Sequence, residues 1–153
     1  MPRYDVFDEA VIDADLDTVY ATMMLEFSGN RGWWRQRWES RPRGAQPITQ
    51  PGGSIDITVH DIVDARFAAR TVELVEKERL DIEFFAGDFI GTATWRWTAE
   101  GGKTRVSQHW RASPNSVKLK LLGVFADIAK IHSSVIQDGL AALARHLSEA
   151  RQQ

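Results

Sequence analysis

The 153-residue sequence predicts an α+β fold in which a curved antiparallel sheet closes over a long C-terminal helix. Three observations carry this expectation. Residues 55–112 form a succession of alternating apolar and polar runs separated by turn residues, the pattern of consecutive hairpins. From Leu121 onward apolar residues recur every three or four positions, the pattern of an amphipathic helix. No other apolar stripe is long enough to cover one face of the sheet, so the last helix must lie against it.

Taken in order, Asp5 to Asp13 reads as a first strand with mixed parities: Val6, Asp8, Ala10 and Ile12 against Phe7, Glu9 and Val11. Asp15 suits a helix N-cap, and Leu16, Val19, Tyr20, Met23 and Phe27 follow at helical spacing. Ser28-Gly29-Asn30 ends that helix, and "RGWWRQRW" adds one short turn before a brief strand from Trp38 to Arg41. The stretch "RPRGAQPITQPGG", with three prolines and three glycines, is a loop by composition. Strands then follow over Ile55–Val59, Phe67–Val75, Leu80–Phe84, Phe89–Ala99 and Thr104–Ala112. Gly101-Gly102 marks the last hairpin turn, because glycine tolerates the positive φ that such turns require. Pro114-Asn115-Ser116 stops the sheet, and the final helix runs for ~25 residues with Gly123 as a break point near its start.

Composition narrows the function classes. The length fits one domain over residues 1–153. There is no cysteine, which excludes disulfides and thiolate chemistry. The N-terminus lacks a signal-peptide pattern, and no apolar run approaches the ~20 residues of a membrane span. A soluble cytoplasmic protein without integral membrane association is expected. The net charge of −2 offers no general attraction to nucleic acid. Charge is nonetheless segregated: acids dominate Tyr4–Asn30, then Arg31, Arg35, Arg37, Arg41 and Arg43 face only Glu39.

The tryptophans focus attention on one face. Three of the six lie at Trp95, Trp97 and Trp110. Parity puts Phe89, Gly91, Ala93, Trp95 and Trp97 on one side of their strand, and Val106, Gln108 and Trp110 on the matching side of the next. These rings would either fill a packed core or wall a pocket, with the small Gly91 and Ala93 leaving space beside them. Gln108 is the polar outlier and requires a hydrogen-bond partner if buried. His132 sits between Ile128 and Ile136 on the stripe of the last helix, which also carries Phe125, and should face the tryptophans. There it is either a satisfied core histidine, a group that orients a ligand oxygen, or a general acid/base near neutral pH. His60, His109, His132 and His146 have no metal-ligand spacing, so no metal is expected, and nothing calls for a cofactor.

The element order, Trp33-Trp34, "GDFIGTATWRW", the "GGKTRV" hairpin and a histidine ahead of "VIQDGLAALARHL" together resemble the START-like (SRPBCC) superfamily, most of all its polyketide cyclase/dehydrase-like branch. The resemblance implies a helix-grip fold: about seven strands around the C-terminal helix, a hydrophobic cavity between them, and two small helices after the first strand forming one rim. Relatives bind lipids, sterols, polyketides, quinones or plant hormones, some cyclise polyketides, and others assist a heat-shock ATPase. The family has no universal catalytic motif, so the resemblance carries over cavity positions only: Trp95, Trp97, Gln108, Trp110 and His132, with Trp33 and Trp34 at the mouth. The arginine run has no counterpart in the family pattern. The expected function is binding of a small hydrophobic, aromatic or polycyclic ligand by a carrier or sensor, as a monomer or homodimer. The alternatives are a cyclase or dehydratase using the cavity as a mould, and a protein-interaction module of the heat-shock-ATPase-activator type. Phe125 and Ile136 complete the candidate ligand-binding set, and His132 is the candidate acid/base.

Overall fold

The computed structural model describes residues 1–29, 32–34 and 36–152. Arg31 and Arg35 of the basic run, and Asn30 at the first helix end, lie outside the described residues. Seven strands form one antiparallel sheet: β1 (Tyr4–Ile12), β2 (Trp38–Pro42), β3 (Ser54–Val59), β4 (Ala65–Val75), β5 (Arg79–Gly87), β6 (Phe89–Glu100) and β7 (Lys103–Pro114). Their spatial order is β1-β7-β6-β5-β4-β3-β2, so the chain builds a meander from one edge and returns its first strand beside its last. The sheet curls into a half-barrel. Between β1 and β2 the chain crosses the sheet through α1 (Leu16–Phe27). Asp15 caps that helix, its carboxylate accepting from the Thr18 backbone N–H at 3.1 Å.

The mixed parity of β1 has a physical reason. Val6, Asp8, Ala10 and Ile12 point inward, and Asp8 is buried because the C-terminal helix supplies its hydrogen bonds. Phe7 on the outer face lies edge-on to His109 of β7. The second small helix implied by the family resemblance is absent among the described residues; bends and a turn lead from α1 to β2. The long C-terminal helix is two helices: α2 (Val117–Phe125) and α3 (Ile128–Arg151). The break falls at Ala126, which is extended at φ −138°, and Asp127 then caps α3 by accepting from the Lys130 N–H at 3.1 Å. Gly123 instead allows α2 to sit close to Tyr4, whose Oη would lie 3.0 Å from an added Cβ.

The space expected beside Gly91 does not exist. Gly91 has φ +143°, and a Cβ built on it would lie 2.1 Å from the Arg111 carbonyl oxygen and 2.7 Å from Ala112 Cα. Its missing side chain admits the backbone of β7, not a ligand. Ala93 is buried in the core. Gly91→Ala should therefore destabilise the fold by about 3 kcal/mol in urea unfolding, since neither the backbone angle nor the neighbouring strand can give way. Gly101→Ala, at φ +60° with nothing within 4 Å of the added Cβ, should lose only about 1 kcal/mol. Equal losses at the two sites would contradict this account.

Candidate functional site

Between the concave face of the sheet and the α2–α3 pair lies an apolar cavity. The sheet contributes aromatic walls, chiefly Trp38, Phe67, Phe89, Trp95 and Trp110, and the helices contribute aliphatic side chains from Leu119 to Ile136. The space is small, about 70 Å³. A single water needs roughly 10–15 Å³ by that measure, so there is room for several waters or a small flat molecule.

Among the described residues, Asp61, Gln108 and His132 bring polar side chains to the lining of this cavity. Gln108 points inward from β7 because parity puts it on the same face as Trp110, and it is 3% exposed. The His132 Nε2–H donates to Gln108 Oε1 at 2.7 Å. The His132 ring also stacks on Trp110, with centroids 3.9 Å apart and planes 10° from parallel. Tyr4 stacks beyond Trp110, at 6.0 Å and 10°. The partner that Gln108 required is thus His132. The Gln108 amide NH2 donates to no other group among the described residues, although Gln108 borders the cavity. Two donor positions are left for a ligand oxygen.

Burial in this apolar setting pushes the His132 imidazole down to about 3. The side chain is half-buried and lines the cavity, and a charged ring there would lose hydration without gaining a counter-ion. Desolvation thus favours the neutral ring over the imidazolium.

The other predicted site residues divide. Trp95, Trp110 and Ile136 line the cavity together with Gln108 and His132. Trp97 shares their parity but packs away from it, edge-on to Tyr20 at 5.0 Å and with its Nε1–H donating to Met23 Sδ at 3.2 Å. It faces α1 because the strand outruns the cavity. Phe125 ends α2 at 83% exposure, outside the cavity, because the helix break turns it outward. Trp33 and Trp34 do not line the cavity. They form a stack with Trp38, at 5.5 Å between Trp33 and Trp34 and 4.4 Å between Trp34 and Trp38. Trp34 rests on Gly139 of α3, where an added Cβ would lie 2.4 Å from its ring.

Two features escaped the sequence reading. Glu26, buried near the end of α1, accepts backbone N–H bonds from Gly32, Trp33 and Trp34 at 2.8, 3.3 and 3.0 Å, and so pins the tryptophan segment. The nearest sequence signal is an acid on a helix flank, which ordinarily reads as solvated. Arg37 bridges three elements, pairing with Asp61 on the cavity rim and with Asp138 (2.6 Å) and Ser134 (2.9 Å) on α3. Arg41 pairs with Glu39 and Arg43 with Asp56. The described arginines of the basic run therefore serve internal pairs. Among the described residues no group of three or more His, Cys, Asp or Glu side chains is placed to hold a metal.

His132 also makes stability depend on pH. Its folded value near 3 lies below the ordinary 6.5, so the unfolded chain binds more protons in that window and stability is lost as pH falls through it. About 2 kcal/mol should disappear between about pH 7 and pH 5. Urea unfolding of the wild type and His132→Phe at both pH values isolates this contribution, because phenylalanine keeps a ring on Trp110 but cannot titrate. Identical pH slopes for the two proteins would refute it.

No protein-family model matches the chain, and no curated protein sequence matches it. Solved structures do. TTHA0849 from Thermus thermophilus superposes with a TM-score of 0.73 at 17% identity, covering 96% of this chain and 99% of that one. A START superfamily protein from Mycobacterium smegmatis gives 0.73 at 10% identity, covering 95% and 98%. CV1439 from Chromobacterium violaceum gives 0.63 at 14% identity, covering 92% and 94%. The seven-stranded curled sheet closed by a long C-terminal helix is a START-like, helix-grip fold.

Proposed function

We propose that the chain is a carrier or sensor that binds a small hydrophobic ligand in the cavity between the sheet and α3. The ligand has a flat aromatic or polycyclic body and one hydrogen-bond acceptor, such as a carbonyl oxygen. The observation that carries this reading is the Gln108–His132 pair: a polar spot in a largely apolar, aromatic-walled space, with the Gln108 amide hydrogens unclaimed among the described residues. Apolar walls with a few placed polar groups are the usual make-up of small-molecule sites. Aromatic rings on the sheet side and aliphatic side chains on the helix side favour a flat apolar body. A mould-type cyclase or dehydratase would use the same cavity, and the lowered basicity of the His132 imidazole favours the binding reading over it.

A panel of planar aromatic ketones and matched hydrocarbons, followed by tryptophan fluorescence and thermal unfolding, tests the reading. Binding should quench emission, and ligand at a hundredfold excess over its dissociation constant should stabilise the fold by about 2.7 kcal/mol. Val135→Phe, which fills the space beneath α3, should abolish the response while the protein remains folded. Gln108→Leu should reduce the preference for ketone over hydrocarbon by about tenfold. A panel that leaves both signals unmoved, or equal binding to Val135→Phe, would sink the proposal.

A further inference from the structure

We propose that the outer face of α2 is a docking surface for a lipid bilayer bearing anionic headgroups. This helix is apolar on both sides. Leu119 and Leu122 face the cavity, while Val117, Leu121, Val124 and Phe125 are 76%, 53%, 75% and 83% exposed on the opposite face. A helix apolar all round is normally buried, so the outer face lacks its partner. At about 100° per residue these four side chains form a stripe about 100° wide, with Lys118 along one edge and Lys120 along the other. Ile62, 79% exposed, belongs to the loop that Lys118 Nζ ties to the helix by donating to the Asp64 carbonyl at 2.7 Å.

The character of the stripe selects the occupant. An apolar strip edged by lysines is the pattern of a helix lying in a membrane interface, where apolar side chains enter the acyl boundary and lysines reach the headgroups. α2 carries no acidic residue. Lys118 is shared with Asp88 at 3.2 Å, whereas Lys120 has no ion pair among the described residues and is the cation that anionic headgroups would engage. A second copy of the chain fits less well. One nine-residue helix offers a patch of a few hundred Å², against the ~800 Å² per partner of a stable interface, and two copies would bring lysines toward lysines. Bilayer docking at this face is independent of what fills the cavity.

Flotation of the full chain with phosphatidylcholine vesicles, with and without phosphatidylglycerol, tests it. The wild type should float with the mixed vesicles and weakly or not at all with phosphatidylcholine alone. V124D/F125D should stay at the bottom of the gradient, and Lys120→Gln should bind about fivefold more weakly. V124D/F125D should keep the wild-type unfolding midpoint and the wild-type response to aromatic ketones, because both positions are exposed and outside the cavity. Failure of the wild type to float, or flotation of V124D/F125D, would overturn the proposal. Equal binding to both vesicle types would overturn its anionic requirement. A wild-type dimer in sedimentation that V124D/F125D disperses would assign the face to a second copy instead.

Discussion

The structure depends on a polar seam that holds a straight helix across a curved sheet. Asp8 and Gln108 are directly paired positions on β1 and β7, and both point inward. α3 answers them with three side chains within six residues: Ser133 and Gln137 donate to Asp8 at 3.1 and 3.3 Å, and His132 donates to Gln108 at 2.7 Å. Hydrogen bonds to a buried carboxylate are worth about 1.5–3 kcal/mol each and, unlike apolar contacts, are directional. They fix where along the sheet the helix can rest. Below the seam Leu140 and Leu143 pack into the core; beside it, where the sheet curves away, the cavity remains, bordered by Val135.

The same seam explains the chemistry of the site. Gln108 can be buried because His132 donates to its amide oxygen, and the half-buried His132 is favoured there in its neutral form. The pair is a hydrogen-bonded polar spot on the cavity wall, in a setting that favours the neutral imidazole. The Arg37 bridge is a second brace, joining the segment before β2, the Asp61 loop and α3 at the cavity's other side. Entry of a ligand larger than the present space must disturb one of these edges or α2, and α2 is the shorter of the two covering helices and the less buried on its outer face.

Much of the fold was legible because period-2 alternation and glycine turns are local signals. They gave β3 to β7 within a few residues, together with the inward face of Trp95, Trp97 and Trp110. Parity assigns a face but not a depth along the strand, so it could not separate Trp95, over the cavity, from Trp97, over α1. Helical period likewise continued through the α2–α3 break, because Phe125 and Ile128 keep apolar spacing although Ala126 is extended. The Trp33–Trp34–Trp38 stack, the Glu26 clasp and the Arg37 bridge join residues far apart in the chain or in an irregular segment. No periodicity encodes such contacts. Gly91 misled for a related reason: a small residue signals close approach, and only the structure says that the approaching group is the backbone of β7.

The central claim is that the space beneath α3 is a ligand site and not a packing defect. Native mass spectrometry of the chain purified from its own host addresses it directly. The account predicts a retained or exchangeable small apolar molecule bound in a one-to-one complex, absent from Val135→Phe. A spectrum holding only the bare chain, unchanged after incubation with aromatic ketones, would contradict it.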